Sequence, residues 1–460
     1  MTSLGDILVL GLGKSGCAVA SYAAELVRSG DAKSVTALDA ADTDALRAVA
    51  SGLEASGVRV LLGRGEAPGM FDLCVASPGI PPHSALLGWA RSACDRVVSE
   101  IEFAYSRTGL PWVAITGTNG KTTTTALLTH LLRAGGVHAE AVGNIGFAAT
   151  DALALSDVEV LVAEVSSFQL ALTLTFHPKI AVLLNITPDH IDWHGSLEAY
   201  AADKTRVFAN MTAEDLAVID VDDPGSAPFA EAIAARGIPV SRVSTTRALA
   251  GGAGVVDGVL TLETDGGQIK LVDVDELQIR GAHNVSNSLA AAAAAHALGV
   301  TPNDLREGLR TFEPIAHRLE PVATVRGVEW FNDSKATNHD AVFKALHAFG
   351  GRPLVVLLGG RNKGNDFAPL AREVAETAKA AVLFGESRVE LASAFEDVDV
   401  HVVEAVTLAD AVEAAYDLAL SGDVVVLSPA CASFDEFTSY ESRGDEFKRM
   451  VLGRAEDGEL

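Results

Sequence analysis

The stretch VAITGTNGKTTTTALLTHLLRAGG, from Val113 to Gly136, decides how the middle of the chain folds. Its apolar run up to Thr116 predicts a buried strand, and a glycine-rich turn then leads into a helix that begins at Lys121. A strand, a glycine turn and a helix in this order present backbone N–H groups and the positive end of the helix dipole to an anion. The stretch therefore predicts a phosphate site.

The glycine turn is shorter than the usual phosphate-binding loop. The common spacing is G-x-x-x-x-G-K-[ST], whereas only two residues separate Gly117 from Gly120 here. Lys121 adds a positive charge, and Thr122 adds a hydroxyl able to ligate Mg²⁺. A plain helix N-cap rich in threonine is the alternative, but the order of the elements favours phosphate binding.

A metal-binding carboxylate should end a neighbouring strand, as in other phosphate-loop enzymes. In VEVLVAEVSSFQL, Glu164 follows an apolar run that predicts a strand over Glu159–Ala163. Glu164 is either a plain surface residue or a metal ligand. Because the uncharged segment SSFQ follows it, we favour the metal role.

The motif NITPDHIDWHG carries His190, Asp192 and His194 at alternating positions. On a strand this alternation would place three ligands on one face and suggest a metallohydrolase. Pro188 argues against a regular strand there. A lone histidine in such a loop is usually structural, yet beside a phosphate loop His190 is a candidate metal ligand or a group that orients one.

Composition bounds the partners and the compartment. The 460 residues include 35 Lys and Arg against 61 Asp and Glu, a formal net charge of −26, so we expect neither nucleic acid nor membrane insertion. No signal peptide is expected, and the apolar run Leu289–Ala295 is too short for a membrane span. The absence of a C-x-x-C pair fits a reducing cytoplasm and neither a disulfide framework nor a zinc site; the cysteines are Cys17, Cys74, Cys94 and Cys431.

Flanking segments indicate further α/β domains. Near the N-terminus a strand over Ile7–Leu10, the turn GLGKSG, a helix and a strand ending near Asp39 form a β-α-β unit with G-x-G-x-x-G spacing. A tight turn from strand to helix needs glycines whether or not it binds a ligand, so packing and ligand contact explain them equally well. The stretch Asp222–Leu277 is predicted as β-hairpins, and strands alternate with helices again after Pro314.

A series of motifs from Gly11 to Phe447 resembles the Mur ligase family: GTNGKTT, EVSSFQL, NITPDHIDWHG, YAADKTRVF, GAHNVSNSLAA, HRLE, NDSKATN, LGGRNKGNDF and SPACASFDEF. The resemblance explains the short loop, because the family shares G-T-x-G-K-[ST]. It implies an α/β fold of three domains. These are a Rossmann-like parallel sheet that binds the UDP-sugar in residues 1–99, a P-loop ATPase-type domain in 100–314, and a Rossmann-like doubly wound domain that binds the amino acid in 315–460.

The resemblance also implies an activity. It is the ATP-dependent joining of D-glutamate to UDP-N-acetylmuramoyl-L-alanine, through an acyl phosphate and a tetrahedral intermediate. Independently of the resemblance, we expect a cytoplasmic monomer. The residues suit this chemistry, because two anions meet when ATP phosphorylates a carboxylate, and both Mg²⁺ and lysine neutralise charge.

The resemblance assigns residues to ATP, metal and catalysis. Two Mg²⁺ ions are implied, held by Thr122, Glu164, His190 and Lys204, with Lys204 carbamylated by CO₂. Lys121, His190 and Lys204 are the implied catalytic residues. From sequence alone, Lys204 would be an exposed helix lysine. The implied ATP contacts are Gly117, Thr118, Asn119, Gly120, Lys121, Thr122, Thr123, Asn284, Asn287, Arg318 and Asp333.

The resemblance assigns the two other substrates as well. Implied contacts of the UDP-sugar are Gly13, Ser15, Asp39, Gly79, Asn144, Ser166 and His190, and those of D-glutamate are Lys335, Thr337, Lys363, Ser433 and Phe434. NDSKATN is predicted to start a helix, which would place Ser334 and Lys335 where helix N–H groups favour a carboxylate. One departure is that Ala40 and Ala41 replace a polar and basic pair after Asp39. The plainer interpretations are helix capping for Asn284 and Asn287, and a surface ion pair for Arg318 and Asp333. For the D-glutamate residues they are solvated lysines and capping hydroxyls.

Three other functions compete with this one. A Mur ligase adding L-alanine or a diamino acid is disfavoured, because the D-N-P-R signature of diaminopimelate addition is absent. An NAD-dependent oxidoreductase would leave the Lys-Thr loop and Glu164 without roles. A non-catalytic ATP-binding partner would not need candidates for both the metal and the amino-acid sites.

Overall fold

The structure is a computed structural model that describes residues 4–456. Three β-sheets follow one another along the chain, as the predicted three-domain α/β fold requires. In the first, five parallel strands lie in the order β3-β2-β1-β4-β5. Its elements are β1 (Asp6–Leu10), α1 (Lys14–Ser29), β2 (Ser34–Asp39), α2 (Asp44–Ala55), β3 (Arg59–Leu62), β4 (Leu73–Ala76), α3 (Ala85–Ala93) and β5 (Val97–Ser99), followed by α4 (Glu100–Tyr105).

The central sheet has nine strands in the order β14-β13-β12-β11-β10-β9-β6-β8-β7. Its buried centre, β8-β6-β9, is parallel, which explains the continuous apolar runs. Its elements are β6 (Trp112–Thr116), α5 (Lys121–Ala134), β7 (Ala139–Gly143), β8 (Val160–Glu164), α6 (Ser167–Leu170), β9 (Ile180–Leu183), α7 (Ile191–His194), α8 (Leu197–Thr205), β10 (Leu216–Asp220), α9 (Ala227–Ala234), β11 (Val240–Ser244), β12 (Ala253–Val256), β13 (Val259–Thr264), β14 (Gly267–Asp273), α10 (Ala282–Ala297) and α11 (Pro302–Thr311), with 3-10 turns at Asp151–Ala154, Arg206–Phe208 and Val274–Glu276.

The predicted hairpins over Asp222–Leu277 are wrong in their first half. That part holds the helix α9 and the strand β11, which pairs in parallel with β10. Only β12, β13 and β14 form antiparallel pairs. The turn residues that suggested hairpins lie at the ends of a β-α-β unit, where the same residue types are needed.

The C-terminal sheet has the order β15-β16-β20-β17-β18-β19 and is parallel except for its edge strand β15, which the sequence analysis missed. The strands predicted after Pro314 are confirmed as β16 to β20. The elements are β15 (Glu320–Val325), β16 (Val328–Asn332), α12 (His339–His347), β17 (Leu354–Gly359), α13 (Ala368–Thr377), β18 (Ala380–Phe384), α14 (Arg388–Phe395), β19 (His401–Glu404), α15 (Leu408–Leu418), β20 (Val424–Ala430) and α16 (Tyr440–Glu456).

The chain divides into two compact units. The first contains residues up to Val274 together with Ser286–Leu309, and therefore the first two sheets; the second contains Asp275–Val285 and residues from Arg310 onward. Among the described residues, none of the helices is both long and apolar enough to span a lipid bilayer.

Helix α4 ties the first two sheets together. Phe103 packs into the core of the first sheet, whereas Ile101 and Ala104 pack into the core of the central sheet. The buried Glu102 carboxylate accepts hydrogen bonds from the backbone N–H groups of residues 174, 175 and 176, at 2.8–3.0 Å. Glu100 accepts from the backbone N–H and the hydroxyl of Thr150. This short helix therefore contributes side chains to both cores.

Candidate active site

The phosphate loop has the predicted geometry. Strand β6 ends at Thr116, and α5 begins at Lys121. Gly120 has a φ of 85°, and a Cβ atom there would lie 2.4 Å from Oδ1 of Asn287. Glycine is therefore required by both the backbone conformation and the close approach of a side chain.

Groups that follow β9 hold the loop in place. Thr118 N–H donates to the carbonyl of Asn185 at 2.9 Å, and the Asn185 side chain exchanges hydrogen bonds with the backbone of Asn119 at 2.8 and 3.0 Å. The Thr118 hydroxyl donates to the Thr187 carbonyl at 3.2 Å and accepts from the Tyr200 hydroxyl at 3.1 Å. The sequence analysis missed Asn185 and Tyr200 as residues that support the loop, although they are the first residues of the motifs NITPDHIDWHG and YAADKTRVF. The loop is thus fixed before any ligand binds.

Two lysines converge on one carbonyl oxygen of this loop. Lys121 Nζ and Lys204 Nζ each donate to the Gly117 carbonyl at 2.8 Å. Lys204 is 1% exposed and lies over the Tyr200 ring, so the interpretation as an exposed helix lysine is wrong. Burial, and then the neighbouring Lys121 charge, hold the pKa of Lys204 well below its usual value.

Thr122 and Glu164 form the candidate metal site. Glu164 is the buried last residue of β8, and its Oε2 accepts from the Thr122 hydroxyl at 2.8 Å. A hydroxyl and a carboxylate side by side are hard oxygen donors of the type that Mg²⁺ prefers. Across residues 4–456, no cluster of three or more His, Cys, Asp or Glu side chains with metal-binding geometry occurs. The Thr122 hydroxyl and the Glu164 carboxylate together offer oxygen ligands to a Mg²⁺ ion that takes its other ligands from phosphate and water.

The two histidines of NITPDHIDWHG have different environments. The segment forms the short helix α7 rather than a strand, in agreement with the argument from Pro188, and the Asp192 side chain lies outside the described part. His194 is structural, because its Nδ1 lies 2.8 Å from Asp203 Oδ2 and its Nε2 lies 2.9 Å from the Ser167 hydroxyl. His190 has a φ of 52° and a half-exposed ring whose Nε2 is 3.6 Å from Asp189 Oδ2. The His190 ring can therefore be reached from solvent.

The N-terminal glycine turn lies beside Asp39, as the dinucleotide-type pattern predicts. Asp39 Oδ2 accepts from Leu12 N–H at 2.8 Å, and its Oδ1 accepts from Ala41 N–H at 2.9 Å. Gly16 is needed for packing, since a Cβ there would lie 1.8 Å from the Gly11 carbonyl oxygen. A Cβ at Gly13 would meet no atom within 4 Å. Packing thus explains Gly16 but leaves Gly13 open to a ligand.

The remaining residues assigned to the UDP-sugar lie at strand ends of the first unit. Ser15 is in the first turn of α1. Gly79 lies in a turn after β4, and a Cβ there would meet no atom within 4 Å. Asn144 N–H donates to the Glu164 carbonyl at 3.1 Å. Ser166 caps α6 in a reciprocal pair with Gln169, so its hydroxyl has a structural role.

The candidate ATP residues of the second unit include a buried acid. The Asp333 carboxylate accepts from the Ser428 hydroxyl at 2.8 Å and from Leu319 N–H at 3.2 Å, next to Arg318. Burial raises the pKa of Asp333 to about 7, although these hydrogen bonds and Arg318 oppose the rise. Asp333 is therefore not part of a surface ion pair. Asn284 also belongs to this unit, whereas Asn287 lies beside Gly120 in the first.

The candidate D-glutamate residues lie on loops that follow strands of the C-terminal sheet. Lys363 Nζ donates to the Thr337 hydroxyl at 3.2 Å, and Lys335 Nζ lies 3.7 Å from the centre of the Tyr440 ring. Ser433 is buried and Phe434 is largely exposed. The Lys363–Thr337 contact links two of the three motifs assigned to this substrate.

The prediction that NDSKATN starts a helix near Ser334 is wrong. Helix α12 begins at His339, and the Asn338 side chain caps it by accepting from Ala341 N–H at 2.9 Å. The last asparagine of the motif is the N-cap, so Ser334 and Lys335 lie in the preceding turn. The helix dipole does not act directly on these two residues.

Comparisons with known proteins agree with this geometry. Family models described as the Mur ligase middle domain and as the glutamate ligase domain of Mur ligases match residues 115–295 and 317–431. The chain is 43% identical over 459 residues to a protein of Pelotomaculum thermopropionicum, covering 97% of each. It is 44% identical over 413 residues to one of Salinibacter ruber, covering 87% of this chain and 89% of the relative. The chain belongs to the Mur ligase family of ATP-dependent ligases.

Both relatives carry the name UDP-N-acetylmuramoylalanine--D-glutamate ligase. Among solved structures, the pseudomurein peptide ligase type C from Methanothermus fervidus superposes with a TM-score of 0.61 at 17% identity, over 97% of this chain and 99% of that one. The predicted family and fold class are confirmed.

Proposed function

We propose that this chain joins D-glutamate to UDP-N-acetylmuramoyl-L-alanine at the expense of ATP, in peptidoglycan precursor synthesis. The observation that carries the proposal is the convergence of Lys121 and Lys204 on Gly117, beside the Thr122–Glu164 pair. Phosphoryl transfer to a carboxylate needs a cation and metal-ligating oxygen at the phosphates, which Lys121 and the Thr122–Glu164 pair supply. The names of the relatives supply the substrate pair.

The first step transfers the γ-phosphoryl group of ATP to the alanyl carboxylate. The backbone of Gly117–Thr123 binds the phosphates at the start of α5, and Lys121 neutralises charge on the transferring group. The rigid contacts of Thr118 and Asn119 keep this geometry before ATP arrives. The resulting acyl phosphate is attacked by the amine of D-glutamate, and the tetrahedral intermediate collapses to an amide and phosphate.

Thr122 and Glu164 would hold a Mg²⁺ ion, which when bound offsets the negative charge of the phosphates. The family resemblance supports a second Mg²⁺ near His190 and Lys204, with Lys204 carbamylated. The buried, low-pKa amine of Lys204 fits this modification, because CO₂ reacts with the neutral amine. The carbamate would place an anion beside Lys121 at the position of this amine.

The other substrate contacts are proposed from the resemblance and from placement. Gly13, Ser15, Asp39 and Gly79 lie at the carboxyl ends of parallel strands, where open α/β sheets bind ligands. Lys335, Thr337, Lys363, Ser433 and Phe434 bind D-glutamate. The resemblance alone supports Asn284, Arg318 and Asp333 as ATP contacts, as well as Asn144, Ser166 and His190 as contacts of the sugar-peptide.

The proposal extends to organisation and location. The three sheets suit domains over 1–99, 100–314 and 315–460, with α4 at the first boundary. The net charge of −26 and four free cysteines suit a cytoplasmic enzyme, which we propose acts as a monomer. Light scattering coupled to gel filtration tests the oligomeric state.

Phosphate release from ATP tests the function. The purified chain should release phosphate with UDP-N-acetylmuramoyl-L-alanine and D-glutamate together, and the ligated product should appear by mass spectrometry. L-glutamate, L-alanine or diaminopimelate in place of D-glutamate should give little product. Product with a diamino acid but not D-glutamate would reassign the chain within its family.

Hydroxylamine isolates the first step, because it traps an acyl phosphate as a hydroxamate without the second substrate. The wild-type chain should form hydroxamate from ATP and UDP-N-acetylmuramoyl-L-alanine alone. Hydroxamate that forms without ATP would contradict the acyl-phosphate route.

A further inference from the structure

Arg443 is a buried cation that none of the proposed substrate contacts includes. It lies on α16, its side chain is fully buried, and all its hydrogen bonds within the described chain go to neutral oxygen atoms. Burial lowers its pKa to about 10, so it remains protonated at neutral pH. A buried guanidinium costs free energy, and its presence calls for a reason beyond packing.

The acceptors of Arg443 lie in or directly before three different loops: Ser334 and Cys431 follow β16 and β20, and Gly359 is the last residue of β17. Nε donates to the Ser334 hydroxyl at 2.9 Å, and Nη2 donates to the Ser334 carbonyl at 2.9 Å. Nη2 also donates to the Cys431 carbonyl at 3.1 Å, and Nη1 donates to the Gly359 carbonyl at 3.4 Å. The planar fork of arginine suits this task, because its donors point in fixed and divergent directions.

These three loops carry all the residues proposed to bind D-glutamate. Ser334 precedes Lys335 and Thr337, Gly359 leads to Lys363, and Cys431 leads to Ser433 and Phe434. The loops also bond to each other directly. The backbones of residues 361 and 432 exchange hydrogen bonds at 2.8 and 3.0 Å, and residue 430 donates to residue 336 at 2.9 Å.

Gly360 shows how tightly the guanidinium is enclosed. A Cβ at this position would lie 3.0 Å from Arg443 Nη1 and 2.2 Å from the Ala432 carbonyl oxygen. Only glycine therefore fits between the arginine and the loop that contains Ala432. The guanidinium fills the junction of the loops rather than a general core position.

We propose that Arg443 is a positioning residue for the amino-acid substrate: it fixes the three D-glutamate-binding loops relative to one another and adds positive potential that favours a dicarboxylate. The inference rests on the proposed function. Arg443 acts through the loops and touches no reacting atom.

The test compares Arg443→Met, Arg443→Lys and Ser334→Ala with Arg449→Ala. Methionine at this position retains length but removes charge and donors, lysine retains charge but removes the fork, and Ser334→Ala removes one acceptor. Arg449 lies on the same helix, is 69% exposed and pairs only with Glu446 among the described residues, which makes it the matched control. KM for D-glutamate, ATP and UDP-N-acetylmuramoyl-L-alanine, and hydroxamate formation, are measured for each.

We expect KM for D-glutamate to rise about tenfold or more in Arg443→Met, and about three- to tenfold in Arg443→Lys and Ser334→Ala. The other two KM values and hydroxamate formation should stay within about twofold of the wild type. Arg449→Ala should match the wild type throughout. Should Arg443→Met not fold, Arg443→Lys and Ser334→Ala still decide the question.

Two results would overturn the inference. One is an unchanged KM for D-glutamate in variants that fold and form hydroxamate; the other is an equal rise in all three KM values, which indicates a general structural role. A wild-type chain that forms hydroxamate but accepts no D-glutamate would instead refute the proposed function.

Discussion

Lys121 and Lys204 donate to the same oxygen atom, the Gly117 carbonyl, each at 2.8 Å. Two ammonium groups this close repel each other strongly where water is excluded. Because Lys204 is the more buried of the two, the repulsion and the desolvation both favour its neutral form. The phosphate loop thus holds, next to Lys121, a buried amine whose environment favours the neutral form.

The charge state of Lys204 gives the first prediction. With ¹³C-bicarbonate, the wild-type chain should show a carbamate resonance in ¹³C NMR, and the signal should grow as pH rises because the neutral amine reacts. Lys204→Ala should lose the resonance and about 10²-fold or more in kcat. Lys179→Ala, which removes a lysine far more exposed, should retain both; a resonance that persists without Lys204 would contradict the assignment.

The Thr122–Glu164 pair gives the second prediction. Glu164→Gln should lower kcat about 10²-fold and raise the Mg²⁺ concentration needed for half-maximal activity by about tenfold or more, because an anionic ligand is lost. A Mg²⁺ titration of phosphate release measures both. Glu159→Gln changes an exposed acid just before the same strand and should alter neither. Equal Mg²⁺ dependence in the two variants would remove Glu164 from the metal site.

Gly120→Ala tests the fit between the loop and α10. The φ of 85° costs about 1–2 kcal/mol for an L-residue, and the new methyl group would meet Asn287. KM for ATP should rise about tenfold or more. Gly109→Ala is the control, since a Cβ there meets nothing within 4 Å. A normal KM for ATP in Gly120→Ala would mean that the loop moves away from Asn287 at no cost.

The pKa of Asp333, about 7, predicts a pH effect on stability. The folded chain binds this proton more tightly than an unfolded chain, whose aspartate pKa is about 3.9. Stability contributed by the protonated form is complete below about pH 4 and is lost as pH rises through 7. Asp333→Asn should therefore raise Tm by about 2–4 °C at pH 8 and by much less at pH 4. The exposed Asp397→Asn should give no such pH-dependent difference.

Lys363 gives the last prediction. Lys363→Ala should raise KM for D-glutamate about ten- to a hundredfold, because it removes a charge-assisted hydrogen bond to a carboxylate. KM for ATP should stay unchanged. Steady-state kinetics with each substrate varied in turn measure the two effects. The exposed Lys270→Ala controls for loss of a lysine. An unaltered KM for D-glutamate would separate Lys363 from the amino-acid site.

Local patterns predicted the strand-turn-helix units, because apolar runs and glycines report directly on buried parallel strands and tight turns. They placed β6, α5 and the end of β8 at Glu164 within a residue. The burial of Lys204 could not be predicted this way, since a lysine on a polar helix reads as exposed until its tertiary neighbours are known. The same limit hid Arg443, because its partners Gly359 and Ser334 lie 84 and 109 residues away along the chain. The start of α12 was predicted too early, because the motif follows a strand directly and its last residue, Asn338, was not recognised as the N-cap.

Helix α4 sets where the chain can be cut. Its hydrophobic side chains are divided between two cores, and the Glu102 carboxylate accepts hydrogen bonds from the three backbone N–H groups of residues 174–176. A fragment that begins at Ser106 would leave those amides without their acceptor and open a hole in the neighbouring core. Anyone preparing the ATP-binding half for crystallography or inhibitor screening should therefore retain the chain from residue 100. In that fragment Phe103 would lose the core of the first sheet and become an exposed hydrophobic side chain that promotes aggregation.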